Sequence, residues 1–357
     1  MKLVLLHTRL SGYLAACLRE FKQQANAEIL IYAWPNQPDA PFDPSTYAKL
    51  GEVFNRYKQS DQSILNKILA FHPTAVLVSG WRDRGYSRIC RQLKTSGIPV
   101  IAGCDTQWKG SLRQHLATWI APLHVQKFID ILWVTGERQR HLAESLGYGG
   151  DRCWDGYYAC DWHTFAQPIA QLAKRPKPHF LYVGRYAPEK GLDTLAAAYQ
   201  AYRQQVEDPW PLICAGAGPL RDTLVAAGAE DKGFVQPAAL PQLLQGASAF
   251  VLPSRFEPWG VAAQEAAASG LPLILSDACG SGVHLLRPYH NGFRFTSGSV
   301  RELTAALKAM HSLTEQRRFA YGQASYELSK QYTPQLWSET LLTGLHQLQS
   351  ANNSRWR

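Results

Sequence analysis

The chain has 357 residues, 46% of them apolar and 18% charged. At about 150 residues per domain this predicts two globular domains and excludes a disordered or fibrous chain. Lysine and arginine number 37 against 28 aspartate and glutamate, and the net charge of +9 favours anionic partners: nucleotide phosphates, nucleic acid or an acidic membrane. The seven cysteines (17, 90, 104, 153, 160, 214, 279) include no C-x-x-C pair, which argues against a zinc site or a disulfide framework and for a reducing compartment. The apolar run Leu3–Leu6 is too short for a signal peptide, and no window reads as a spanning helix. The expectation is a cytoplasmic protein, with a peripheral place at the inner face of a membrane as the alternative.

Lys2–Leu6 reads as a buried strand. A helix follows from Tyr13 to Ala25, with Leu14, Cys17, Leu18 and Phe21 on one stripe. Further strands are expected at Glu28–Ala33, Ala75–Val78, Pro99–Ala102 and Ile131–Val134, with helices at Tyr86–Ser96 and Glu137–Leu146. Strands without polar alternation, separated by helices, predict a parallel sheet covered on both faces. Prolines 168, 176 and 178 with Lys174, Arg175 and Lys177 mark Pro168–Pro178 as a linker, so the predicted domains are 1–167 and 168–333. The rhythm restarts with strands at Phe180–Val183, Leu212–Ala215, Ala249–Leu252 and Leu271–Leu275. Its helices are Leu192–Arg203, Leu240–Gln245, Val261–Ser269 and Val300–Leu313. The segment 334–357 carries a last helix, Pro334–Gln349, with no strand after it, placed to cross back onto the first domain. Two such α/β units are expected to face each other across a cleft, with ligands beyond the carboxyl ends of their strands.

Three segments carry chemistry. In Val183-Gly184-Arg185-Tyr186-Ala187-Pro188-Glu189-Lys190-Gly191 a strand ends at Gly184 and a helix begins near Leu192, so Arg185 and Lys190 flank a helix N-terminus suited to a diphosphate. The alternative is a solvated surface loop. Ala215-Gly216-Ala217-Gly218-Pro219 permits a tight turn but lacks the third glycine of a dinucleotide fingerprint, and a structural turn is its favoured reading. That same lack disfavours an NAD-dependent oxidoreductase. Pro253-Ser254-Arg255-Phe256-Glu257-Pro258-Trp259-Gly260-Val261-Ala262-Ala263-Gln264-Glu265-Ala266 sets Glu257 in a loop and Glu265 inside the following helix. The two carboxylates suit sugar and ribose hydroxyls. A glycosidase acid/base pair and plain surface acids are the other readings.

Taken in this order, with Gly270-Leu271-Pro272, His290-Asn291-Gly292-Phe293 and Asp161-Trp162-His163-Thr164-Phe165, these segments resemble the retaining GT-B glycosyltransferases of glycosyltransferase family 4. The resemblance is close from about Phe180 to Trp337. It implies a GT-B fold of two Rossmann-like domains and transfer of a sugar, with retention, from a UDP- or GDP-linked donor to a saccharide or lipid-linked acceptor. Glycan, lipopolysaccharide or exopolysaccharide assembly is the implied setting, with no metal and no cofactor. A nucleotide-sugar epimerase of the same fold and a non-catalytic nucleotide-sugar-binding protein are the alternatives. By the same resemblance Arg185 and Lys190 grip the diphosphate at Gly184, and Glu257 holds donor-sugar hydroxyls beside the amides of Trp259, Gly260 and Val261. Glu265 would bind the ribose, with Phe234 and Val235 at the base. Gly12 sits at the loop that touches the phosphates, although Leu10-Ser11-Gly12-Tyr13 replaces the family's Gly-Gly pair.

The first half is expected to hold the acceptor. Asp105, at a position where many relatives carry a histidine, and His7, at the end of the first strand, are candidate active-site polar groups. Trp81 and Trp108 suit stacking on a sugar or burial in the core. Arg84, Arg88 and Arg91 share one helical face, and with Trp108 and Trp119 they suit an anionic membrane or a solvated face. No nucleic-acid-binding module is recognisable.

Overall fold

The computed structural model describes residues 1–35, 45–166 and 178–354. Residues 168–177 of the expected linker lie outside them. The chain divides into two compact units, Met1–Cys160 with Thr333–Arg357, and Asp161–Tyr332. The second unit thus begins at Asp161, seven residues before the expected boundary, and takes in Asp161 to Ala166.

The first unit is built on seven parallel strands: β1 (Lys2–His7), β2 (Glu28–Ala33), β3 (Glu52–Asn55), β4 (Ala75–Val78), β5 (Val100–Cys104), β6 (Ile131–Val134) and β7 (Cys153–Trp154). Their order across the sheet is β3-β2-β1-β4-β5-β6-β7. In β1, Val4 and Leu6 enter one apolar cluster and Leu3 and Leu5 the other, which is why the strand reads as an unbroken hydrophobic run. The helix Pro334–Ser354 belongs to this unit and packs on the helix Gly12–Ala25. Its Trp337 stacks on Trp133 with ring centroids 4.6 Å apart, and its indole N–H donates to the Tyr157 carbonyl at 2.9 Å. Gly344 faces Trp154 so closely that a Cβ there would lie 2.1 Å from the ring.

The second unit repeats the plan with six strands: β8 (Phe180–Val183), β9 (Leu212–Ala215), β10 (Glu230–Asp231), β11 (Ala249–Leu252), β12 (Leu273–Ser276) and β13 (Gly292–Phe295). The order is β10-β9-β8-β11-β12-β13, all parallel. In both sheets the chain runs outward from a central strand, then returns to that strand's other side. The direction therefore reverses between β1 and β4, and between β8 and β11. Loops diverge at such a reversal, and the carboxyl ends of the two strands frame a crevice in which open α/β sheets bind ligands. In the second unit those loops are the two richest motifs of the sequence.

Candidate active site

The loops after β8 and β11 are stitched together. After β8 comes a single turn, Pro188–Lys190, closed by Gly191 in the left-handed region at φ 67°, and the helix Leu192–Arg203 starts there. The Glu189 carbonyl accepts from the Arg255 and Phe256 amides at 2.8 and 3.1 Å. The Arg255 guanidinium in turn donates to Asp193 at 2.6 Å and to Thr194 at 3.2 Å. This frame aims two side chains at each other: the Lys190 ammonium donates to Glu257 Oε2, with both side chains largely buried. Ser254 donates to the same oxygen at 3.2 Å, and the Glu257 carbonyl accepts from the Gly280 amide at 2.9 Å. Burial, with the Glu257 charge nearby, pushes the Cys279 thiol up to about 11, so it stays neutral beside the pair.

Arg185 is placed differently. Its side chain is half-exposed and donates to Glu189 at 2.7 Å, while its carbonyl accepts from the Tyr182 hydroxyl at 2.8 Å. The two cations of the Gly-Arg loop therefore carry separate carboxylate partners. The Gly-x-Gly turn after β9 serves the backbone, as the sequence favoured. A Cβ on Gly216 would stand 1.9 Å from the Gly184 carbonyl, so only glycine lets this turn lie against the Gly184 loop.

Gly260 opens the helix Val261–Ala268 at φ 101° with no side-chain cap, so the first amides of this helix are directed at whatever lies before it. The Trp259 side chain is buried against the rings of His284 and Tyr332, and its carbonyl accepts from the Ser281 amide at 2.8 Å. Glu265 lies partly buried on the second turn. Burial, with Asp161 nearby, pushes its carboxyl up to about 8. Phe234 is an exposed aromatic just past the end of edge strand β10, followed by the half-buried Val235.

In the first unit the ends of β1 and β5 meet a tyrosine pair. His7 is buried, and its Nδ1 accepts from the Arg9 amide at 3.3 Å. The proton therefore sits on Nε2, which donates to the Tyr157 hydroxyl at 3.2 Å. Burial lowers the His7 pKa to about 4, so it is neutral at physiological pH. Asp105 is exposed just beyond β5 and accepts from the Tyr158 hydroxyl at 3.1 Å. Tyr157 and Tyr158 stack at 5.1 Å, which places the two candidates on one aromatic platform that the sequence did not signal. Gly12 begins its helix behind the Ser11 cap, and a Cβ there would meet nothing within 4 Å. Trp81 and Trp108 are half-buried against the core, and Trp108 packs edge-on to His115 at 5.0 Å. On the predicted basic face Arg88 bonds Asp61 at 2.6 Å, and further along the same helix Lys94 bonds Asp130 at 2.9 Å.

Two parallel-sheet Rossmann-like units with these strand orders constitute a GT-B fold. Solved structures agree: Anabaena HepE in complex with UDP aligns with a TM-score of 0.75 at 15% identity over 97% of this chain and 100% of that one. Sucrose-phosphate synthase of Thermosynechococcus elongatus aligns at 0.72 and 17% over 98% and 100%. At such identities the likeness speaks for the fold alone. The sequence of the second unit says more. Residues 166–327 match the glycosyl transferases group 1 family. This group 1 segment contains Arg185, Lys190, Glu257 and Glu265. Over 157 residues the chain is 32% identical to a glycogen synthase of Mycobacterium tuberculosis, covering 42% of this chain and 37% of that protein. It is 38% identical over 120 residues to the GDP-mannose:cellobiosyl-diphosphopolyprenol alpha-mannosyltransferase of Xanthomonas oryzae, 30% of each chain. The matched part thus spans well under half the length of these relatives.

Proposed function

We propose that the protein is a retaining glycosyltransferase of glycan biosynthesis, taking a nucleotide-diphosphate sugar as donor and a saccharide or lipid-linked acceptor. The observation that carries this reading is the Lys190–Glu257 pair at the reversal point of the second sheet, beside the uncapped start of the helix Val261–Ala268. The group 1 match and the named synthases and transferases support it. An ammonium carries three N–H donors, so the bond to Glu257 leaves Lys190 able to hold a diphosphate oxygen, with Arg185 nearby in the same loop. Glu257 accepts hydroxyls of the donor sugar. As the sugar–phosphate bond breaks, negative charge grows on the diphosphate, and these cations with the first amides of the helix would stabilise it. The acceptor oxygen then bonds the anomeric carbon on the face the phosphate leaves, and its proton passes to the departing phosphate oxygen. No enzyme nucleophile is required.

A thermal-shift screen with UDP, GDP, ADP and their common sugars tests the donor site. A ligand at 100 times its dissociation constant stabilises by about 2.7 kcal/mol. With the stabilising donor and an acceptor, transfer is expected to persist in excess EDTA, because Arg185 and Lys190 supply the charge that a divalent ion supplies elsewhere. Stabilisation by no nucleotide contradicts the reading, and activity that EDTA abolishes and a divalent ion restores contradicts its metal-free form.

Glu265 gives the donor site a pH signature. Ribose hydroxyls donate to the ionised carboxylate, so its pKa falls on binding from about 8, and binding releases a proton. Affinity is expected to rise with pH by up to about tenfold per unit below that value and to level off above it. Isothermal titration at several pH values measures this. A Glu265→Gln variant, titrated identically, removes the contribution of the ligand's own phosphates. An identical pH slope in the two proteins would remove Glu265 from the ribose.

A further inference from the structure

The helix Leu112–Ile120 in the first unit is turned inside out. It buries none of its residues. Leu112, Leu116, Trp119 and Ile120 fall on one stripe, which Leu123 extends, and all five are exposed; Leu112, Trp119 and Leu123 are 88%, 81% and 70% accessible. Gln114, on the opposite side, faces inward. Its amide donates to the Gln107 carbonyl at 2.9 Å, and its oxygen accepts from the Lys109 amide at 2.7 Å. These bonds fix the helix's rotation about its own axis, and buried Ala121, Val125 and Phe128 anchor the chain that follows. The outward apolar stripe is therefore held in place by the fold. Around it, residues 106–129 hold Lys109, Arg113 and Lys127, together with His115 and His124, and the acids that bound this stretch, Asp105 and Asp130, are held by the Tyr158 hydroxyl and by Lys94.

We propose that this helix is a membrane-docking surface that lies in the interfacial plane of an anionic bilayer, with Leu112, Leu116, Trp119 and Leu123 inserted among the lipids. Charge selects this occupant. Cations on and beside the helix, their neighbouring acids already engaged, complement acidic headgroups, whereas a second copy docked about a twofold axis would set the same cations against one another. The exposed indole of Trp119 suits the headgroup level, where an aromatic ring keeps its N–H wet. The surface differs from the Arg84, Arg88 and Arg91 face expected from the sequence. In that face Arg88 is bound to Asp61, and the helix buries its apolar residues Ile89, Cys90 and Leu93 inward.

Co-sedimentation with vesicles tests this without any sugar or nucleotide, so its result is separate from the donor reading. Mixed phosphatidylglycerol and phosphatidylcholine vesicles are expected to pellet the full chain, and pure phosphatidylcholine vesicles to pellet it far less. The double variants Leu112→Gln/Trp119→Gln and Arg113→Gln/Lys127→Gln are each expected to weaken binding by about tenfold or more. Circular dichroism melts should match the parent protein, since all four side chains are exposed. Absence of vesicle binding, or binding unchanged in the Leu112/Trp119 variant, overturns the proposal. So does a dimer on size exclusion that this variant converts to monomer, which would give the stripe to a second copy of the chain.

Discussion

Lys190→Met is expected to lower sugar transfer by about a thousandfold at saturating donor, the scale on which removing a fixed group that stabilises developing transition-state charge is felt. It should also destabilise the protein, because Glu257 would keep its charge in a largely buried place with Ser254 as its one remaining side-chain partner among the described residues. Breaking one partner of such a pair costs about 3 kcal/mol or more, and at about 2–4 °C per kcal/mol the loss is visible in a melt. The two effects separate in the double variant Lys190→Met/Glu257→Gln. With both charges gone, no ion is left uncompensated. Stability is expected to return to within about 1 kcal/mol of the parent, while turnover stays lost. Nucleotide release and melting temperature, measured on the three proteins, decide the matter. A double variant that regains transfer with its stability would mean that the pair holds the fold and does not touch the donor.

The central strands of both sheets were readable because each is buried on both faces. Val4 and Leu6 serve one layer and Leu3 and Leu5 the other, so the strand becomes a run of apolar letters. The strands that escaped sequence reading, β3, β7, β10 and β13, all lie toward the sheet margins. Glu52-Val53-Phe54-Asn55 and Glu230-Asp231 bury little, so burial writes no pattern into them. The helices at Asp61–Phe71, Leu112–Ile120 and Glu315–Ser329 are further elements without a predicted counterpart, although the first buries Ile64, Leu65 and Ile68 on a regular stripe. The second of these carries its apolar stripe outward, against the rule by which a helix is normally read.

The candidate site was legible where backbone geometry constrains the letters. Gly184, Gly191, Gly216 and Gly260 punctuate loops whose close approach or positive φ admits little else, so the motifs stand out. What the letters do not carry is pairing. Glu189, between Arg185 and Lys190 in the sequence, takes Arg185 for itself, and Ser254 joins Lys190 on Glu257. In the first unit, nothing in Tyr157-Tyr158 announces partners for His7 and Asp105, because those contacts cross 150 and 53 residues of chain.

Gly191→Ala is expected to damage both stability and transfer, although Gly191 carries no functional group. The residue sits at φ 67°, and a Cβ built there would stand 2.2 Å from the Pro253 carbonyl oxygen. The left-handed backbone and the clash with another stretch of backbone add to about 3 kcal/mol or more. Relief requires the Lys190 turn to move away from the Pro253–Glu257 loop, which draws the ammonium away from its carboxylate. Misplacement by about 1 Å at a reacting centre costs about a hundredfold in rate. Gly298→Ala is the matched control, since Gly298 has φ 79° with nothing within 4 Å of the added carbon. It should cost only about 1 kcal/mol and leave transfer intact. If the two variants melt together and both keep parental turnover, the contact between the two loops does not position Lys190, and the arrangement of the pair must be held by other parts of the second unit.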